Sequence, residues 1–218
     1  MFSSVTNRVS VLSPAVIGDI PSVRRDSVKS EIDNYTRDKH VMVFSGFSGL
    51  GYSDSASLKA QLSSALDEAI NRYGAHHLCV VAGATPEGIG AVYELAKNKG
   101  VGTLGIVSEH ARGGVAQDCD RVIFVNDPGA SWKVLDETGA SYMVYVATKQ
   151  NGLSRTGEFL AYGGGVVTLS ELQEAKSMEI PLTIHPEFEP DPLNAAAKLQ
   201  KAPGEDLTPV RSAFLSGV

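Results

Sequence analysis

Three glycine-rich stretches in this chain stand directly after apolar runs. They are Gly46-Phe47-Ser48-Gly49-Leu50-Gly51, Gly83-Ala84-Thr85-Pro86-Glu87-Gly88-Ile89-Gly90 and Gly163-Gly164-Gly165-Val166-Val167-Thr168. Glycine lets a backbone turn tightly between strand and helix and brings its N–H groups close to a ligand. The positive end of the following helix dipole then favours an anion, typically a phosphate. On this basis Gly46, Ser48, Gly83, Thr85, Gly88, Gly163, Gly164, Gly165 and Thr168 are the candidate ligand- and phosphate-binding residues. The plainer reading is that these loops are only turns, and their recurrence at several strand ends favours a ligand crevice. Thr85, followed by Pro86, has the signature of a helix start, and so does Thr168 with Glu171 three residues on, which forms a capping box.

The elements that would position these loops are legible as periodic runs. His40–Ser45 and Leu78–Ala82 are continuous apolar segments of the kind buried in a parallel sheet. Thr103–Ser108, Arg121–Val125, Phe159–Tyr162 and Pro181–Ile184 supply four more strands. Between the first two, Leu58, Leu62, Leu66 and Ala69 share one helix face, with Asp54 as cap and Gly74 as stop. Ile89, Val92, Tyr93 and Ala96 line the next helix. Residues 130–150 carry both strand-like residues and a helical stripe (Trp132, Leu135, Tyr142, Met143, Val146). A parallel sheet needs a crossover there, so a helix is expected, with Trp132 and Tyr142 in the core. The alternation of strands and helices predicts an α/β fold: an open, mostly parallel, Rossmann-like sheet with helices on both faces. The expected organisation is an N-terminal arm and helix over 1–36, a single nucleotide-binding domain over 37–202 and a tail over 203–218.

Composition narrows the function classes. The 218 residues are 43% hydrophobic and 20% charged, with a net charge of −6. No basic run is present, which argues against a nucleic-acid partner, because phosphate-backbone affinity needs clustered Lys and Arg. No apolar run approaches membrane-spanning length and no signal core stands at the N-terminus, so no membrane partner and a cytoplasmic location are expected. The two cysteines, Cys79 and Cys119, lack metal spacing and read as reduced thiols. His76 and His77 are adjacent and point to opposite faces, and no other histidine has metal-ligand spacing, so neither a metal site nor a cofactor is expected.

Together the second and third glycine stretches resemble the motifs of the SLOG superfamily, which includes LOG-type phosphoribohydrolases and DprA-like proteins. The first family motif, GGGxxGLMG, is matched by Gly83 to Gly90, and the second, PGGxGTxxE, by Gly163 to Glu171. The similarity covers about residues 40–186. It implies a nucleotide ligand, with the 5′-phosphate on the glycine-loop N–H groups and Thr168, and a homodimer or higher homo-oligomer. It also implies hydrolysis of the N-glycosidic bond of a nucleoside 5′-monophosphate, with Glu171 stabilising the developing oxocarbenium ion or orienting water. The sequence departs from the pattern in three places. Gly163 replaces the motif's proline and Val167 replaces a glycine. The stretch Asp127 to Lys133 lacks the family's helix-start arginine, for which Lys133 or Arg155 are the candidate substitutes. These departures favour the alternative, a non-catalytic nucleotide sensor acting through assembly or a protein partner. The resemblance implies a catalytic Glu171; the residues alone are equally consistent with a helix cap.

Overall fold

The computed structural model describes residues 26–215. Six strands form one sheet: β1 His40–Gly46, β2 Leu78–Ala82, β3 Gly102–Ser108, β4 Arg121–Val125, β5 Thr156–Tyr162 and β6 Leu182–His185. Their order is β4-β3-β2-β1-β5-β6, and every neighbouring pair is parallel. Among the described residues seven α-helices accompany them: α1 Ser27–Tyr35, α2 Ser55–Tyr73, α3 Ala91–Asn98, α4 Tyr142–Ala147, α5 Val166–Ser177, α6 Pro192–Lys201 and α7 Pro209–Leu215.

Side chains alternate across a strand, so the apolar runs feed two cores. Val41, Val43, Cys79, Val81, Leu104 and Ile106 face α1, α4, α5 and α7. Met42, Phe44, Val80 and Leu160 face α2 and α3. The open parallel sheet with helices on both faces is therefore present. Ile32 of α1 and Val210 of α7 are fully buried in the first core. The arm expected over residues 1–20 lies outside the described residues. Asp54 caps α2 as expected, accepting from Ser57 N at 2.8 Å.

Chain direction creates the feature that matters for function. From β1 the chain moves outward through β2, β3 and β4, then crosses back to lay β5 and β6 on the other side of β1. The connections leave β1 and β5 in opposite directions, the topology at whose carboxyl edge open α/β sheets bind ligands.

Three local expectations are corrected. The helix expected over 130–150 is confined to Tyr142–Ala147. The preceding loop is stapled by carboxylates. Asp127 accepts from Ser131 N and Oγ (both 3.0 Å) and from Trp132 N (2.8 Å), and Asp136 accepts from Thr138 N (2.8 Å) and Ala140 N (3.0 Å). Such side-chain bonds offer the backbone an alternative to the helical ladder. Ala130 (φ +48°) and Trp132 (φ +61°) are left-handed, which no α-helix accommodates. Trp132 is 54% exposed rather than in the core, whereas Tyr142 is buried as expected.

The second correction concerns Thr85, which caps no helix. Its Oγ1 accepts from Glu87 N (3.3 Å) within a loop, a short 3₁₀ turn spans Gly88–Gly90, and α3 begins at Ala91. The third is the capping box. Gly163 (φ +58°) and Gly164 (φ +129°) turn the chain immediately after β5, so α5 starts at Val166, with Gly165 at its N-cap and no side-chain cap. Thr168 and Glu171 therefore lie inside the helix, and Glu171 is too far along to reach the cap.

Candidate functional site

At the carboxyl ends of β1, β2 and β3 a cleft of about 510 Å³ opens against α5. Its first polar group follows from strand alternation. Val41 and Val43 point to the α5 side of the sheet, so Ser45, two residues on, points there too. Helix α5 brings Thr168 and Glu171 over the same spot, one helical turn apart. Ser45 Oγ lies 3.0 Å from Glu171 Oε2 and 3.1 Å from Thr168 Oγ1. A hydroxyl has one proton, so when Glu171 is ionised Ser45 donates it to the carboxylate, and Thr168 Oγ1 donates to Gly46 O at 3.4 Å.

Glu171 is 7% exposed, and burial pushes its carboxyl up to about 7. The Ser45 hydrogen bond works against that rise, Glu174 adds to it, and the charge of Lys133 opposes it. A carboxyl poised near neutrality on the wall of a cleft is suited to proton transfer, and it can also stabilise a developing cation.

The surrounding loops are held stiffly. Tyr52 Oη accepts from Phe47 N (3.0 Å) and donates to Tyr162 O (2.9 Å), tying the loop after β1 to the end of β5. Ala84 N donates to Tyr93 Oη (2.9 Å), and Ile89 N donates to Phe47 O (2.8 Å), fixing the loop after β2.

Of the residues proposed from sequence, Gly46, Ser48, Gly83, Thr85, Thr168 and Glu171 line the cleft together. Gly165 faces an adjoining hollow of about 250 Å³, which shares Gly46, Ser48, Trp132, Val167 and Thr168 with the cleft. The uncapped first turn of α5 borders this hollow. Gly88, Gly163 and Gly164 do not line either space. At Gly88 a β-carbon would stand 2.2 Å from Phe47 O, so this glycine permits two loops to pack. Lys133 acts on Glu171 through its charge without lining the cleft. Arg155 is elsewhere altogether. It precedes β5, at the amino end of the sheet, fully buried and bonded to Asp33 and Thr36, where no cleft residue lies.

Ser45, His110, Arg112 and Trp132 are among the lining residues not singled out for this role from sequence. Ser45 carried a usable signal, a polar residue on the period-two face of an otherwise apolar strand. His110 and Arg112 follow the carboxyl end of β3, a position that only the sheet order makes significant. His110 Nε2 is 2.7 Å from Asp127 O; a carbonyl only accepts, so Nε2 carries the proton there. Among the described residues no group of three or more His, Cys, Asp or Glu is placed to hold a metal ion, and no helix is long and apolar enough to cross a membrane.

No family model matches the chain, and no curated protein matches it. Solved structures are similar to it at low identity. One is the Moco carrier protein from Chlamydomonas reinhardtii, 18% identical, covering 77% of this chain and 86% of that one with a TM-score of 0.43. Another is the molybdenum cofactor binding protein from the phototrophic bacterium Rippkaea orientalis, 17% identical, covering 83% of this chain and 96% of that one with a TM-score of 0.44.

Proposed function

We propose that this chain is a divergent SLOG-type protein that binds a nucleotide in the cleft between α5 and the carboxyl ends of β1, β2 and β3, and that Glu171 acts on the ligand's N-glycosidic bond. The observation that carries the reading is the buried Glu171 carboxyl, free of any capping role, held by Ser45 and facing the cleft. The order of the glycine motifs along the chain supports the nucleotide class. In this reading the 5′-phosphate sits against the uncapped first turn of α5 and Ser48, where N–H groups and the helix dipole favour an anion. The sugar lies over Glu171. The base occupies the apolar part of the cleft, between Ile106, Val134 and the Trp132 ring.

As the C1′–N bond lengthens, positive charge develops on the sugar, and the ionised Glu171 stabilises it. Water adds at C1′ and gives up a proton, with Glu171 as acceptor. The base departs with the bond's electron pair and gains a proton, so the products are ribose 5-phosphate and free base. The ionised carboxylate is the working form, so turnover falls as pH drops below about 7.

The test is incubation with a panel of nucleoside monophosphates, with chromatography for released base. Glu171→Gln should bind ligand and lose turnover by about 100-fold or more. Base release by wild type no faster than by the variant would remove the catalytic part. The departures at Gly163 and Lys133 favour a second reading, a sensor that holds its nucleotide intact. It predicts a ligand-dependent thermal shift with no product. The same reading takes the chain as a cytosolic homo-oligomer, and a monomeric mass by light scattering would remove the assembly part.

A further inference from the structure

We infer that Arg112 reads a second acidic group on the ligand, carried by the base at the end of the cleft away from α5. The inference rests on the proposed binding of a nucleotide and specifies which nucleotides. Among the described residues, Arg112 is the one Lys or Arg that lines the cleft. It forms no ion pair and no side-chain hydrogen bond with any described residue, although the chain carries a net charge of −6. Its guanidinium is nevertheless positioned, since it stacks 4.2 Å from the centroid of the Phe124 ring. Stacking of this kind orients the planar fork and leaves its N–H edge available for a carboxylate or phosphate.

Topology fixes where this cation stands relative to the rest of the site. Arg112 follows β3, while α5 follows β5, and β2 and β1 lie between them. Three steps of ~4.8 Å put the two ends on the order of 14 Å apart across the sheet. A ligand whose phosphate rests at α5 reaches Arg112 only with its far end, which is the base. The wall between is apolar, formed by Ile89, Ile106, Val134 and Met143. A neutral base satisfies that wall and leaves the guanidinium without an anion. A base bearing a carboxylate or phosphate satisfies both.

The experiment uses two matched pairs of nucleotides that differ by acidic groups on the base: UMP with orotidine 5′-monophosphate, and AMP with adenylosuccinate. Isothermal titration gives the affinity ratio, acidic over neutral, for wild type and for Arg112→Gln, with Arg112→Lys as a variant that keeps the charge. In at least one pair the acidic member should bind wild type about tenfold tighter or more. Arg112→Gln should bring that ratio close to one, and Arg112→Lys should keep part of it. An acidic member that binds no better in either pair, or an advantage that survives Arg112→Gln, overturns the inference. If UMP or AMP still binds in that case, the proposed function stands without it. Failure of all four nucleotides to bind wild type overturns both.

Discussion

Arg155 and Glu171 are both ionisable and both buried, at opposite ends of one sheet. Arg155, at the amino end, is fully buried, and each of its three side-chain nitrogens has a protein partner. Its Nη1 donates to Asp33 Oδ1 (2.7 Å) and Thr36 Oγ1 (2.9 Å), its Nη2 to Tyr145 O (3.3 Å) and its Nε to Thr148 O (3.4 Å). The guanidinium also stacks on the Tyr145 ring, 5.0 Å from its centroid. Glu171, at the carboxyl end, receives one protein hydrogen bond, from a serine, and its carboxyl is pushed up to about 7. Burial alone therefore does not mark a functional charge. A buried charge held by an ion pair and several hydrogen bonds from its own chain is part of the structure, whereas one held by a single hydroxyl beside open space is available to a ligand.

Removing Arg155 tests that contrast most severely. Arg155→Ala leaves Asp33 without its cation and deletes a large buried side chain that links α1, α4 and β5. Loss of about 3 kcal/mol is expected in urea unfolding, independent of any ligand. A loss under about 1 kcal/mol would mean that the network does not hold these elements together.

Glu171→Gln should act in the opposite sense, and its effect depends on pH. In wild type the folded carboxyl titrates near 7 and the unfolded one near 4.5, so between these values the folded state binds more protons. Stability therefore falls as pH rises through that window. The variant has no such titration, and from pH 4.5 to pH 8 the difference should move in its favour by roughly 3 kcal/mol. A pH-independent difference would show that Glu171 titrates normally, and the contrast with Arg155 would vanish.

Ser45→Ala gives the smallest change and sharpens the comparison. It removes the donor that holds the Glu171 carboxylate, so the Glu171 midpoint, followed by carboxyl ¹³C NMR, should move further above 7. Stability should fall at pH 8 by about 1.5 kcal/mol and by less at pH 5, where the carboxyl is protonated. An unmoved midpoint would mean that the serine is not the partner of the ionised form.

Several site elements could be read from single positions. Gly46, Gly83 and Thr168 line the cleft because glycine loops and polar residues at strand ends face the carboxyl edge in any such sheet. The expected capping roles of Thr85 and Thr168 fail for one reason. A cap is recognised by its distance from the first helical residue, and left-handed turns at Ala84, Gly88, Gly163 and Gly164 moved that residue. Trp132 leaves the expected core position because apolar spacing says nothing about competing hydrogen bonds, and Asp127 unwinds the stretch that contains it.

The sequence by itself determined the parallel sheet and its two faces of helices, because continuous apolar runs of strand length can be buried only between helical layers. It also determined that turns at the strand ends would carry glycine. Only the tertiary structure decided which charges share a site. Ser45 and Glu171 are 126 residues apart and meet because β5 returns beside β1. Arg155 is 16 residues from Glu171 and lies at the other end of the sheet, because strand β5 separates them. Proximity along a chain is set by covalent bonds, whereas proximity in a cleft is set by strand order and direction, which no local pattern encodes.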